Sequence, residues 1–186
     1  MQTKENQLSE ATPAAKDSRL AAFLTTESDA DTHIVDTLIE ERCPSFVAHW
    51  TWPAVRPILY KMLGYKKARV MADEIAELST GDDCFDMLGE ALELDIRLVN
   101  PDRVRATGRS VLISNHPTGL ADGSAVWEGL RDVRRDLQIF ANADACRVNA
   151  AFADVIIPVE WVTEKRSPAK TRETLRRASQ AFSEEQ

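Results

Sequence analysis

The sequence predicts an α/β fold: a helical N-terminal lobe, then a mixed sheet flanked by helices. Three observations carry that prediction. In the first half of the 186 residues, apolar side chains recur at helical spacing. From Asp95 onward the period changes, and short apolar or alternating runs are interleaved with helix-like segments. The composition, 44% hydrophobic and 28% charged, is that of a globular chain able to bury a sizeable core.

Residues 1–32 are polar and poor in large apolar groups, which reads as a mostly disordered tail with a transient helical turn near Leu20. Residues 33–94 form the helical lead-in. Ile34 to Glu41 has apolar side chains at 34, 35, 38 and 39, and Cys43-Pro44 ends it. Trp50 to Tyr65 carries Trp50, Trp52, Val55, Ile58, Leu59 and Leu63; Lys66 to Leu78 carries Val70, Met71, Ile75 and Leu78. Thr80-Gly81-Asp82-Asp83 reads as a turn before a fourth helix, Phe85 to Leu94. Residues 95–186 form the α/β part. Asp95 to Val99 alternates as a strand does, and Asn100-Pro101-Asp102 turns the chain. Arg109 to Ser114 is a second expected strand, and Ser124 to Val133 a helix with Ser124 as its cap. Leu137 to Ala141 and Val155 to Trp161 are further strands. Ser167 and Pro168 supply an N-cap and a first-turn proline for a final helix through Arg172, Leu175 and Phe182.

The net charge of −7 argues against a nucleic-acid partner. It also argues against adhesion to anionic lipid through overall charge, while leaving a local basic patch free to do so. The acidic excess lies mostly before residue 100, and the chain is richer in Arg and Lys from Arg103 onward. Cys43, Cys84 and Cys146 are scattered, without a C-x-x-C pair, which reads as reduced thiols in the cytoplasm and not as a zinc site. No apolar run reaches the length of a signal h-region or a membrane span. The expected location is the cytoplasm, with the inner face of the membrane as a further candidate.

The most specific stretch is Val111-Leu-Ile-Ser-Asn-His-Pro-Thr-Gly-Leu-Ala-Asp-Gly123. It places one His and one carboxylate on the same strand-to-helix turn. A neutral imidazole can take a proton from a hydroxyl, and a neighbouring carboxylate can orient the ring and stabilise the cation that forms. His116 and Asp122 are therefore the candidate catalytic pair. Gly119 and Gly123 can turn the backbone, or bring N–H groups to an anionic oxygen. Lys165, Arg166, Lys170 and Arg172 make a basic cluster at the start of the last helix, which is either a solvated face or a grip on an anionic head group; Arg166, with its forked guanidinium, is the first choice for such a grip.

From Gly108 to Ala178 the chain resembles the glycerolipid acyltransferases, the lysophospholipid and glycerol-3-phosphate acyltransferase-like proteins. The resemblance rests on Asn115, His116 and Asp122 at a strand-to-helix turn. The spacer between His and Asp here is Pro117-Thr-Gly-Leu-Ala121, one residue longer than the usual four, and Asn-His-Pro with Asp-Gly resembles the hemolysin-like bacterial branch. What the resemblance implies is acyl transfer from acyl-CoA or acyl-carrier protein to a hydroxyl of a lysophospholipid or glycerol phosphate, without cofactor or metal, as a step of phospholipid biosynthesis. Asn115, Gly119 and Gly123 would contact substrate, and Lys165 or Arg166 the acceptor's phosphate. The family's phosphate-holding Arg does not directly follow Val155-Ile-Ile-Pro-Val-Glu-Trp161, and its third motif is not reached before Gln186. The expected sheet is accordingly incomplete at the C-terminus, and the chain reads as a truncated product.

Other readings of the same residues stay open. His116 can tie down a turn, and Asp122 can cap a helix without doing chemistry. The tryptophans Trp50, Trp52, Trp127 and Trp161 suit a core, while Trp50-Thr-Trp52-Pro53 also suits a membrane interface. Asn142-Ala-Asp-Ala145 reads either as an Asx-capped turn or as a cleft wall. As whole functions, a non-catalytic membrane-surface or interaction module, or a hydrolase that uses the same pair with water, stand beside the acyltransferase.

Overall fold

A computed structural model describes residues 20, 21, 23, 24 and 32–183. Among them are eight α-helices, which we number α1 Ile34–Arg42, α2 Pro44–Val47, α3 Trp52–Met62, α4 Tyr65–Ala76, α5 Gly81–Leu92, α6 Leu120–Leu130, α7 Asp144–Val148 and α8 Pro168–Ser183. Two strands, β1 Ile139–Asn142 and β2 Ile156–Val159, make a parallel sheet with Ile139 opposite Ile156 and Asn142 opposite Val159. The fold is α/β, mostly helical, with this one small sheet among the described residues.

Local chemistry explains where the helices start. His33 Nδ1 accepts the Val35 N–H at 3.1 Å, capping α1. Gly64, at φ 69°, lets the chain turn from α3 into α4 in the left-handed conformation that L side chains resist. Thr80 Oγ1 accepts the Asp83 N–H at 3.1 Å and donates to the Asp83 carboxylate at 2.6 Å. Thr80 to Asp83 is therefore the capped first turn of α5, not a turn preceding it, and α5 starts earlier than the apolar pattern indicates. At the last helix, Ser167 Oγ accepts the Lys170 N–H, as its cap position predicts.

The strands are parallel because residues 143–155 between them carry α7 and a 3₁₀ turn, Ala150–Asp154, which is long enough for a crossover. β2 is buried, with Ile156 and Pro158 fully enclosed. Thr174 Oγ1 donates to the Pro158 carbonyl at 2.6 Å, and Arg177 to the Ala153 carbonyl at 2.8 Å, which fastens α8 along β2. One core joins both halves: Ile75, Cys84, Phe85 and Leu88 of the lead-in pack with Trp127, Cys146, Phe152, Val155 and Ile156. Phe85 stacks on Trp127 at 4.9 Å and meets Phe152 edge-on at 5.7 Å.

Four expectations need correction. Leu20 and Phe23 are helical and buried, and Leu20 belongs to the core cluster; their spacing with Leu24 makes an apolar stripe that docks, so the tail is not disordered there. Residues 1–19, 22 and 25–31 lie outside the described residues. Among the described residues the expected strands at Asp95–Val99 and Arg109–Ser114 have no ladder partner, so the sheet described is purely parallel and two-stranded and not a larger mixed one. Val99, Val111 and Leu112 are exposed there, and Ile113 is 92% exposed. An alternating or apolar run marks a segment that suits a sheet, but only a neighbour's N–H and C=O groups make it a strand. Finally, Trp50 and Trp161 are exposed, while Trp52 and Trp127 are buried as core residues.

Gly81 is the tightest glycine. A Cβ there would lie 2.7 Å from Val155 Cγ2 and 2.8 Å from the Ala151 carbonyl oxygen. Gly81→Ala is expected to cost about 1–3 kcal/mol by overpacking. Urea unfolding checks this, and a wild-type midpoint would show that the contact relaxes freely.

Candidate functional site

The site is built around the start of α6. Gly119 precedes the helix at φ 70° and ψ −115°, a conformation that favours glycine. Asp122 lies in the first helical turn, and its carboxylate bends back over the entry. One oxygen accepts the Thr118 hydroxyl at 2.5 Å; the other accepts the backbone N–H groups of Thr118 at 2.8 Å and Gly119 at 3.1 Å. His116 Nδ1 stands 3.2 Å from that second oxygen. The Thr118 hydroxyl and N–H, with the Gly119 N–H, hold the Asp122 carboxyl below its ordinary range, so it is an anion at neutral pH. The positive end of the helix favours the same charge.

His116 is thus brought onto Asp122, as the sequence leads one to expect. The helix, however, starts at Leu120, four residues before the expected cap. Asp122 is a helical residue, and Ser124 is no cap: it is buried inside α6 and donates to the Leu120 carbonyl at 3.1 Å. Gly123 is likewise helical and not part of the turn, and a Cβ there would meet nothing. Asn115 is exposed in the irregular stretch before His116. The His116 side chain is 61% exposed and that of Asp122 22%.

Two residues outside the expected set organise the site. Thr118 supplies two of the bonds to Asp122; a Thr just before the cap glycine and four residues before an Asp was the available signal. Arg134, 5% exposed, grips the segment leading to His116. Its guanidinium forks onto the Asp136 carboxylate with two bonds of 2.7 Å and donates to the Arg105 and Gly108 carbonyls and to Ser110 Oγ. No local pattern announces that reach.

The basic residues proposed for phosphate are engaged elsewhere. Lys165 donates to Glu41 of α1 at 2.5 Å, together with Arg147, which holds the same carboxylate at 2.6 and 3.1 Å. Arg166 donates to the carbonyls of Glu160 and Trp161, and Lys170 pairs with Glu160. Asn142 Oδ1 accepts the Asp144 N–H at 3.0 Å, the Asx-capped turn, and Asp144 pairs with Arg42 and Arg147. A cavity of about 310 Å³ opens at the other end of α6, between Asp86, Trp127, Arg131 and Arg135, and it is not lined by His116 or Asp122. Cys84 and Cys146 are buried free thiols, pushed up by burial to about 11 and about 12. Among the described residues no group of three or more His, Cys, Asp or Glu side chains is arranged to hold a metal ion, and no helix is long and apolar enough to cross a membrane.

The chain matches no protein-family model, no curated protein and no solved structure. Its functional assignment therefore rests on its own residues.

The Glu41 cluster gives a pH test. Burial, the largest influence on this carboxyl, works to raise its pKa; the bonds and charges of Arg147 and Lys165 outweigh it, and the net shift is downward. A depressed carboxyl contributes stability that is present above its unfolded pKa and is lost as pH falls through its folded value. Glu41→Gln is therefore expected to melt below wild type at neutral pH, with the gap closing as the pH drops below about 4. A gap that stays constant down to acid pH would mean that the charge of Glu41 contributes nothing.

Proposed function

We propose that the chain is an O-acyltransferase of the glycerolipid type, with His116 as general base and Asp122 as its charge partner. The observation that supports this is the 3.2 Å approach of His116 Nδ1 to a carboxylate kept ionised at a helix N-terminus. With Nδ1 toward Asp122, Nε2 is the nitrogen left to face a substrate hydroxyl. The hydroxyl proton passes to Nε2 while the oxygen bonds to the acyl carbon of an acyl-CoA or acyl-carrier-protein thioester. The C–S bond then breaks, the thiolate leaves, and the imidazolium returns the proton to it. Asp122 stabilises the imidazolium between these steps. Neither Lys165 nor Arg166 is assigned to the acceptor's phosphate, since both are held by other partners. The proposed acceptor is a lysophospholipid or glycerol phosphate, met at the cytoplasmic surface of a membrane.

The exposure of His116 favours a second reading, a non-catalytic membrane-surface or interaction module. One assay separates the readings: purified protein, acyl-CoA and lysophospholipid, with trapping of released thiol and chromatography of the lipids. Thiol and acylated lipid in equal amounts support transfer. Thiol with free fatty acid means hydrolysis, and no thiol above the uncatalysed background leaves the module.

A further inference from the structure

We propose that α3 and the corner between α3 and α4 form a docking surface for an anionic lipid bilayer. The inference goes beyond the transfer chemistry and does not depend on it.

The face of α3 that carries Trp52, Arg56 and Tyr60 is turned inward: Trp52 and Tyr60 are buried, Arg56 pairs with buried Asp36 at 2.9 Å, and Tyr60 stacks on Tyr65 at 4.2 Å. Val55, Ile58 and Met62, spaced three and four residues apart, occupy a different stripe, and all three are exposed. Exposed Trp50 stands just before the helix and exposed Leu63 just after it, Trp50 at 85% and Met62 at 79%. So many large apolar groups on one short helix and its two ends are not needed for the core, which α3 already reaches through its other face.

Charge identifies the occupant. The chain as a whole carries −7, yet between Glu41 and Asp73 it contains no Asp or Glu and has Arg42, Arg56, Lys61, Lys66, Lys67 and Arg69. Lys61, Lys66 and Lys67 are exposed and make no ion pair among the described residues. They bracket the α3–α4 corner, beside Met62 and Leu63. An apolar stripe with a terminal Trp, rimmed by unpaired lysines, fits the boundary between acyl chains and anionic head groups: the stripe enters the boundary, the Trp ring lies at head-group level, and the ammonium groups meet phosphates. Each lysine near such a surface is worth about fivefold in affinity, screened by salt.

The test is co-sedimentation with vesicles, without substrate, so that its failure and a failure of acyl transfer are separate results. The protein is expected to pellet with mixed phosphatidylcholine–phosphatidylglycerol vesicles, more weakly with rising salt, and at least about tenfold more weakly with phosphatidylcholine alone. Tryptophan emission should shift to the blue on binding, and less so in Trp50→Phe. The double variant Ile58→Asp with Met62→Asp should keep the wild-type melting temperature and lose binding. Reversal of Lys61, Lys66 and Lys67 to Glu should weaken binding to the anionic vesicles by about a hundredfold or more. Wild-type protein that stays in the supernatant with anionic vesicles overturns the proposal, as do folded variants that bind like wild type. A lipid-free dimer abolished by Ile58→Asp with Met62→Asp would assign the face to a second copy and overturn it equally.

Discussion

His116→Ala is expected to lower acyl transfer by about 10²–10⁴-fold, the range for loss of a general base. The melting temperature should stay near wild type, because the ring is mostly exposed and Asp122 keeps its three bonds to Thr118 and Gly119. The loss should fall on kcat, since in the proposed mechanism the imidazole acts on the proton in flight and need not hold the resting substrate. Asp122→Asn should behave differently. It removes the anion facing His116 and also weakens the acceptor at the start of α6, so both the rate and the melting temperature should fall. Thr118→Val, which spares both side chains of the proposed pair, should lower the rate less than either. Steady-state transfer and thermal unfolding measured on all three distinguish a base from a turn-holding histidine. Wild-type kcat in His116→Ala would remove the ring from the chemistry.

Arg134→Met is expected to destabilise the fold by about 3 kcal/mol. The guanidinium is buried and satisfies Asp136, two backbone carbonyls and Ser110 Oγ at once. A methionine fills a similar volume but leaves these acceptors without a donor. Arg134→Lys should rescue little, since one ammonium group cannot fork onto Asp136 and reach the Arg105 and Gly108 carbonyls as well. Residues 105–110 lead directly into the stretch that carries His116. Loosening them should therefore reduce transfer even below the unfolding temperature, because a base misplaced by about an ångström costs about a hundredfold. Urea denaturation gives the first quantity and the transfer assay the second. A variant with the wild-type midpoint would show that solvent replaces the guanidinium without loss.

What the sequence alone determined is what depends on neighbours along the chain. Helices α1, α3, α4 and α8 were legible in their apolar spacing and their Pro and Ser signals, because helical hydrogen bonds and caps close within a few residues. Strands β1 and β2 were legible as short apolar runs. The meeting of His116 with Asp122 was legible too: the two are six residues apart across one helix entry, and a carboxylate in the first turn of a helix naturally folds back over the residues before it. The early starts of α5 and α6 were missed because Thr80 and Gly119 begin those helices before any apolar period is visible.

Only the tertiary structure decided the rest. Residues 95–99 and 109–114 have the composition of strands and are not strands, because pairing belongs to two segments and no ladder forms there among the described residues. Lys165, a candidate for the acceptor's phosphate by its sequence, is bound to Glu41, 124 positions away, while Arg134 reaches back across 24 to 29 positions to hold the path to His116. The exposure of Ile58 and Met62, beside the burial of Tyr60 on the same helix, follows from which face found partners. Hydrogen bonds of a turn can be read from a string of residues, whereas a buried charge or an unpaired face depends on what the folded chain places opposite it.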